Sequence, residues 1–463
     1  MTDIKDLNTS SIFKIYKIGC IKVRKQDCDN LVKLLKQDGI LLKISHISPV
    51  IRESIDKEDK FRTIYLAQSV LHNLHCNKKT KLVYDQETIK PELIADNLVQ
   101  VFDSGEILIG LPLKLVNTLS KLEFVQYDII DLKIEYDRLS YIECLKQCIP
   151  EDIEITSSFE TVGHIAHLNL NNNAYPYRYI IGKVLLDKNP GIKTVVTKVG
   201  NIENTYRTYP LEVVAGGRNL KAKVKEQGIL YNVNIDEVYW NSRLSCERQR
   251  IVNIIPSYSF VVDLTCGVGA FTLPLLKISN CLVYSNDLNP SAIKLLELNI
   301  FENKLDRSRV VISQRDAKSC IENLLDLKLD ISKLFNIQIN DKIQPLVSYW
   351  ICNLPEHSLD ILSQFATYKL SLGKRSEVDE SIQQVQQIIV VKCYFHFYCF
   401  SRSLEPFSDI SSRIKENLKC EEDDETFYPI NLSIYNVRNV APDKTMYCAE
   451  FYINIPIVRD VAS

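Results

Sequence analysis

The feature that most constrains this chain is a short buried strand running straight into two closely spaced glycines. Residues 260–264 read Phe-Val-Val-Asp-Leu, and Thr265-Cys266-Gly267-Val268-Gly269 follows before a helical stretch over 270–277. A near-continuous apolar run of this length suits a strand covered on both faces, as in a parallel sheet. Gly267 and Gly269 allow the backbone to turn tightly and to approach a ligand closely. The alternation then continues. Residues 281–285 read as a second strand, and Pro290 suits the first turn of a helix whose Ile293, Leu296 and Ile300 line one face. Residues 310–312, 346–352 and 388–393 supply further buried strands. Strand and helix in regular succession predict a doubly wound α/β sheet.

The 463 residues leave room beside that sheet for roughly three domains in all. Apolar stretches alternating with charged ones over the first ~115 residues predict a small N-terminal α/β or α+β domain. No run of 18 apolar residues is present, so no transmembrane helix is expected. The first 17 residues lack the apolar centre of a secretory signal. Fourteen cysteines contain no Cys-x-x-Cys pair, and Cys281, Cys352 and Cys399 lie within apolar runs. They suit buried small hydrophobes in a reducing compartment, so a soluble intracellular protein is expected. The formal charge of −2 excludes a histone-like protein but hides a local bias. Residues 166–225 carry ten Lys/Arg (among them Arg178, Lys183, Lys188, Arg207, Arg218, Lys221, Lys223 and Lys225) against three acids. A solvated basic face and a phosphate-binding surface both fit that net +7. The acidic block 421–425 reads as a solvated loop between strands.

Chemistry gathers at the predicted strand ends. Asp287 follows the second strand, where a carboxylate can accept both hydroxyls of a ribose. Asp316 follows the third, where it could accept the exocyclic amine of adenine. Asp263, Gly267, Gly269, Asp287 and Asp316 thus form an adenosine-binding ladder along the carboxyl edge. A dinucleotide site normally has a third glycine where Thr272 stands, and a P-loop needs Gly-Lys-Ser/Thr, which is absent. S-adenosylmethionine has no phosphate to cradle and fits the ladder. Asn353-Leu354-Pro355 ends a further strand where amino-group methyltransferases carry Asn/Asp-Pro-Pro-aromatic. The missing aromatic favours a ring nitrogen over an exocyclic amine as target. Upstream, Tyr239 and Trp240 precede Asn241-Ser242-Arg243-Leu244-Ser245-Cys246-Glu247-Arg248. Adjacent aromatics there suit stacking on a base or packing at a domain boundary. His72, His75 and Cys76, and His164 with His167, look like ligand fragments, but neither has a matched second pair. No metal is expected.

These segments carry a resemblance. Gly163-His-Ile-Ala-His-Leu-Asn-Leu170, Asp187-Lys-Asn-Pro-Gly191, Asn204-Thr-Tyr-Arg207, the 238–248 stretch, the 263–271 loop, Asn286-Asp-Leu-Asn-Pro290, Asn353-Leu-Pro355 and Val437-Arg-Asn-Val-Ala-Pro442 occur in order over about residues 160–460. Together they resemble the archaeal and eukaryotic tRNA (guanine-37 N1)-methyltransferase family. The family's Asn-Pro-Arg is Asn241-Ser242-Arg243 here, the 216–219 turn is less acidic, and an insert over 326–344 precedes the Asn-Leu-Pro strand.

The resemblance implies three parts: a tRNA-corner recognition domain over 1–125, a basic α/β RNA-binding middle domain over 126–235, and a Rossmann-like class I methyltransferase domain over 236–463. It implies S-adenosylmethionine as donor and guanosine 37 of tRNA as target, supporting the reading frame and, where it occurs, the first step of wybutosine synthesis. By the same resemblance Glu247 is the base, Arg207 the partner of guanine O6, and Asn353 a contact to guanine or cofactor. Arg248, Gly267, Gly269, Asp287, Leu288, Asp316, Ala317 and Pro355 would line the cofactor, and Tyr239, Trp240 and Arg243 the substrate. A monomer in cytoplasm and nucleus, with a mitochondrial matrix pool, is expected on the same ground. The sister enzyme that transfers an aminocarboxypropyl group and a non-catalytic tRNA-binding protein are the competing expectations.

Overall fold

The computed structural model describes residues 7–43, 47–52, 60–67, 82–83, 92–94, 97–101, 107–109, 118–119, 121–155, 158–199, 210–335, 346–376, 386–420, 427–441 and 443–460. The chain divides into two compact units, Met1–Ser157 with Leu170–Pro190, and Ser158–Asn169 with Gly191–Ser463.

The first unit is built on β1 (Phe13–Arg24), which runs directly into α1 (Lys25–Gln37). With β2 (Val50–Arg52), β3 (Phe61–Tyr65), β4 (Leu82–Val83) and β8 (Val125–Glu135) it forms a sheet of order β2-β3-β1-β8-β4. Cys28, Leu31 and Leu35 of α1 fall at helical spacing and are buried with Ile21, Val23 and Ile64 of the sheet. β5 (Glu92–Ile94), β6 (Asn97–Val101) and β7 (Ile107–Ile109) pair separately as an antiparallel meander. α2 (Tyr141–Cys148) opens with a capping box, Ser140 and Glu143 each bonding the other's backbone N–H, and α3 (Arg178–Lys188) is its neighbour in the same unit. Every strand pairing among the described residues of this unit is antiparallel, so of the two classes open for the N-terminal region it is the α+β one.

The second unit starts with β9 (Glu160–Val162), β10 (Ile165–Leu168), β11 (Thr194–Lys198) and β12 (Leu211–Gly216), a sheet of order β12-β11-β10-β9. The hairpin β13 (Lys221–Glu226) and β14 (Ile229–Asn234) follows, then α4 (Ser245–Ile254). The predicted alternation comes next: β15 (Phe260–Asp263), α5 (Thr272–Ile278), β16 (Leu282–Asn286), α6 (Pro290–Glu302), β17 (Val310–Ser313), α7 (Ala317–Asp326) and β18 (Val347–Cys352). β19 (Gln386–Ser401), β20 (Ile430–Ala441) and β21 (Lys444–Asp460) complete a seven-stranded sheet of order β17-β16-β15-β18-β19-β21-β20. β17 to β19 are parallel and the last two pairings antiparallel. The order reverses between β15 and β18, which makes their carboxyl ends the crevice where such sheets bind ligands.

Every residue of β15 and β16 is buried. Phe260 and Val262 enter one apolar cluster with Trp350, Cys352 and Phe395, whereas Val261 and Val283 enter the other with Leu273, Leu296 and Ile351. The sheet is thus covered on both faces, as its apolar runs require. One sequence expectation needs revision. The strand expected at 388–393 extends over all of β19, because β21 pairs along its full length. The start of the 326–344 insert is packed into the core: Leu329, Ile331 and Phe335 are buried, and Phe335 packs edge-on against Phe260 with ring centres 6.0 Å apart. The acidic block 421–425 lies outside the described residues.

Gly269 has φ +95°, and a Cβ there would stand 1.9 Å from Leu273 Cδ1 and 2.7 Å from Leu296 Cδ1. Both contacts are core side chains with little room to withdraw. Gly269→Ala should therefore lower unfolding stability by about 1–3 kcal/mol, read as a lower denaturant midpoint with unchanged slope.

Candidate active site

Backbone and side-chain bonds stitch the carboxyl ends of three strands together. Leu264 N donates to Ile351 O and Cys266 N to Asn286 O, both at 2.9 Å. Asn353 N donates to Thr265 Oγ1 at 2.9 Å, so Asn353 sits at the switch point beside the glycine loop. Gly267, at φ +55°, donates its N–H to Asp287 Oδ2 at 2.8 Å, and a Cβ on Gly267 would meet nothing within 4 Å. Asp287 Oδ1 accepts from Asn289 N at 2.9 Å. Burial raises the Asp287 carboxyl, opposed by these N–H donors. The loop thus presents an open backbone cradle pinned by one carboxylate.

Asp263 lies beneath the loop and is fully buried. Its Oδ2 accepts from Thr272 Oγ1 at 3.0 Å, while its Oδ1 has no hydrogen-bond partner among the described residues. Burial, opposed by Thr272 and reinforced by the negative Asp287, pushes its carboxyl up to about 7. Thr272, which stands where a dinucleotide fingerprint has its third glycine, is therefore the residue that holds Asp263. An open cradle and an orphaned buried acceptor fit a polar cofactor carrying a donor group.

Asp316 caps α7, its Oδ1 accepting from Lys318 N and Ser319 N. Ala317 is buried behind it, and Leu288 is 39% exposed at the same edge. Asn286 Nδ2 donates to Leu264 O and Arg315 O, and its Oδ1 accepts from Arg315 N, joining three strand ends through one amide. Pro355 O accepts from Phe400 N, fixing the Asn-Leu-Pro turn against the end of β19.

Glu247 is buried in the first turn of α4. Arg250 donates Nε to its Oε2 and Nη2 to its Oε1, both at 2.7 Å, and Tyr398 Oη donates to Oε1 at 2.8 Å. Arg248 turns the other way and is buried. It pairs with both carboxylate oxygens of Glu226, donates to Asn241 O and lies over Trp240. Trp240 packs on Tyr231 with ring centres 5.0 Å apart, so it serves the β13–β14 hairpin, whereas Tyr239 is 48% exposed. Arg243 pairs with Glu160 at 2.6 Å on the surface. Arg207 lies outside the described residues, as do His72, His75 and Cys76. His164 bonds Asn219 O from the turn before β10, and His167 is held down to about 4, chiefly by burial.

The basic segment is not one uniform face. Arg178 is buried and lies over the rings of Tyr175 and Tyr179, whereas Lys221, Lys223 and Lys225 alternate along β13 with their side chains exposed. Arg250, Tyr398, Thr265 and Asn286 were not read from the sequence. Arg250 carried a signal in its three-residue spacing from Glu247 on one helix, and Asn286 in heading the Asn286-Asp-Leu-Asn-Pro290 segment.

A doubly wound sheet with glycine and acidic groups along the carboxyl edge of its switch point defines the Rossmann-like, nucleoside-cofactor-binding class. Comparison with known proteins narrows it. The model of the TRM5/TYW2 methyltransferase domain matches residues 222–327, and that of the TYW2 N-terminal domain residues 141–219. Curated relatives include the tRNA (guanine(37)-N(1))-methyltransferases of Mus musculus (30% identical, covering 97% of this chain and 77% of that protein) and Homo sapiens (31%, 96% and 75%). That of Danio rerio is 37% identical over 69% of this chain and 61% of its own length. Among solved structures, Trm5b of Pyrococcus abyssi covers 94% of this chain at TM-score 0.53 and 20% identity. The chain belongs to the tRNA (guanine(37)-N(1))-methyltransferase family.

The raised Asp263 carboxyl has a consequence for stability. A folded-state value above the unfolded one favours the protonated form, so its contribution is fully present below pH ~4 and is lost as pH rises through about 7. Cofactor-free wild type should lose stability relative to Asp263→Asn by up to about 1.4 kcal/mol per pH unit across that window, measured by denaturant unfolding. A constant difference between the two would refute the assignment.

Proposed function

We propose that the chain transfers the methyl group of S-adenosylmethionine to N1 of guanosine 37 in tRNA, with Glu247 taking the N1 proton. The observation that carries this reading is the acidic and glycine ladder at the switch point, joined through Thr265 to Asn353. S-adenosylmethionine supplies an electrophilic methyl group when bound. Asp287 would hold the ribose diol, since each of its oxygens has a second lone pair beyond the loop bonds. Asp316 keeps Oδ2 for the adenine amine while Oδ1 caps its helix, with Leu288 and Ala317 flanking the ring. Gly267 and Gly269 leave backbone room, and the orphaned Oδ1 of Asp263 suits a donor at the methionine end. Asn353 would bond the guanine edge or the cofactor, and Pro355 would shape the pocket. Arg248 supports this region indirectly, through Glu226 and Asn241.

Guanine N1 carries a proton at neutral pH and is a poor nucleophile. Its alkylation needs an acceptor for that proton and a donor for the charge that builds on O6. Glu247 provides the first, and Arg207, by family resemblance, the second. Tyr239, being exposed, is better suited than Trp240 to stack on a guanine taken from its own stack. Arg243 and the lysine row of β13 suit contacts to the tRNA backbone. On this reading residues 1–125 inspect the tRNA corner, 126–235 form the basic middle domain and 236–463 the catalytic one. The product would protect the reading frame and begin wybutosine synthesis where that pathway exists. A monomer in cytoplasm and nucleus, with a matrix pool, completes the proposal.

The match of residues 141–219 to a TYW2 N-terminal domain favours a second reading, aminocarboxypropyl transfer to the same nucleotide. The mass of modified guanosine 37 distinguishes the two.

A transcript with guanosine at 37 should be methylated and one with adenosine there should not; equal incorporation would reject the target. Glu247→Gln should keep cofactor affinity and lose on the order of 10²–10⁴-fold in single-turnover rate. Asp287→Ala should weaken cofactor binding roughly tenfold or more by calorimetry, and unaltered affinity would count against its ribose role.

A further inference from the structure

Behind Glu247 lies a polar plaque that the ladder does not use. The register of β19 and β21 sets His396 opposite Glu450 and Tyr398 opposite Cys448, and strand alternation puts all four on one face. Arg250 reaches this face from α4. Its Nε and Nη2 hold Glu247, its Nη1 lies 2.5 Å from Glu450 Oε1, and its guanidinium covers the ring of Tyr435 on β20 at 3.9 Å. His396 is buried with Nδ1 3.9 Å from Glu450 Oε1. Burial holds the Cys448 thiol and the Tyr398 hydroxyl in their neutral forms, each raised well above its usual range. Burial would also raise Glu450, but His396 and Arg250 overcome it and keep that carboxyl below its ordinary value.

Two features of this arrangement bear on proton transfer. A carboxylate has about four lone-pair sites, and Arg250 and Tyr398 occupy three of those on Glu247. The free one is on Oε2. Charge is the second. Glu247, Arg250 and Glu450 together bring two carboxylates against one guanidinium, a net charge of −1 over these three groups in a buried place. One proton brings the set to zero, which burial favours. Without the charge of Glu450 the set would start at zero and become positive on accepting a proton, which burial opposes. His396, Cys448 and Glu450 also offer ligand atoms within 4.8 Å of one another. A divalent ion there would stand against the guanidinium that already neutralises Glu450, so the position of Arg250 argues against a metal.

We propose that Glu450 is a positioning residue for methyl transfer: by sharing Arg250 with Glu247 it leaves the buried set one negative charge, and so one proton, short of neutrality. The inference rests on Glu247 being the base. On substrate binding the N1–H bond breaks, its proton passes to Oε2 of Glu247, and the electron pair stays on guanine for the new bond to carbon. Arg250 swings no charge; it holds Glu247 in place while Glu450 balances it.

The test is single-turnover methyl transfer to guanosine-37 transcript between about pH 6 and 9, with cofactor affinity and tRNA KM measured alongside. Glu450→Gln keeps an acceptor for Arg250 but removes the charge. It should retain both affinities, lose about 10- to 100-fold in rate, and shift the rise of rate with pH to lower pH. Glu450→Asp should recover part of the rate. A Glu450→Gln enzyme with the wild-type rate and profile overturns the proposal, as does an Asp variant no faster than the Gln one. If Glu450→Gln does not fold, Arg250→Lys, which keeps the charge but lacks the fork that holds both oxygens of Glu247 while facing Glu450, should lose rate at unchanged cofactor affinity; a wild-type rate overturns the proposal. Glu247→Gln separates the two ideas. Full activity there removes the base and this inference with it, whereas an inactive Glu247→Gln beside a normal Glu450→Gln overturns the inference alone. One equivalent of zinc surviving dialysis of the wild type would also overturn it.

Discussion

One carboxylate sets the shape of the carboxyl edge. Asp287, at the end of β16, accepts the N–H of Gly267 on one oxygen and that of Asn289 on the other. It thereby fixes a left-handed turn in the loop after β15 and the entry of the chain into α6. Everything placed along that edge depends on these two bonds. Gly269 can then drop onto Leu273 and Leu296, Thr272 can reach Asp263, and Asn286 can tie the ends of β15 and β17 together. The carboxylate is kept ionisable against burial only by the backbone donors around it. Structure and prospective ligand recognition therefore draw on the same group.

Much of this was legible because it is local. The run over 260–264, the two glycines, and acids at the ends of successive strands are spaced by the repeat of strand and helix, so sequence distance stands in for spatial distance. Asp263, Gly267 and Asp287 met in space as that periodicity required. What escaped the sequence was long-range. Tyr398 and Glu450 reach α4 only because β19 and β21 pair residue for residue, and nothing in a one-dimensional pattern fixes that register. Trp240 illustrates a different limit. Two adjacent aromatics read equally well as base-stacking or packing groups, and the packing of Trp240 on Tyr231 of a neighbouring hairpin is visible only in the structure. Composition misled in a third way: a net +7 over 60 residues looks like one surface, yet Arg178 is buried between tyrosine rings.

The site also shows how burial divides labour among identical side chains. Asp263 and Asp287 lie on the same edge and burial raises both, but both oxygens of Asp287 accept backbone N–H groups, while Asp263 keeps one oxygen without a hydrogen-bond partner among the described residues. Glu226, Glu247 and Glu450 each meet an arginine. Glu226 closes a joint with Arg248, whereas Glu247 and Glu450 compete for Arg250. The first is a one-to-one pair, whereas the second sets two carboxylates against one guanidinium.

The hairpin β13–β14 is fastened to α6 by side-chain amides: Asn299 Oδ1 accepts from Asn232 N, Asn303 Oδ1 accepts from Leu230 N, and Asn303 Nδ2 and Asn299 Nδ2 donate back to Leu230 O and Asn232 O. α6 begins three residues after Asp287. The lysines of β13 are consequently gauged against the carboxyl edge by a chain of short bonds with no linker in it. A polyanion seated on that lysine row would be held at a set offset from the glycine loop, so the hairpin acts as a fixed jig for whatever the edge works on.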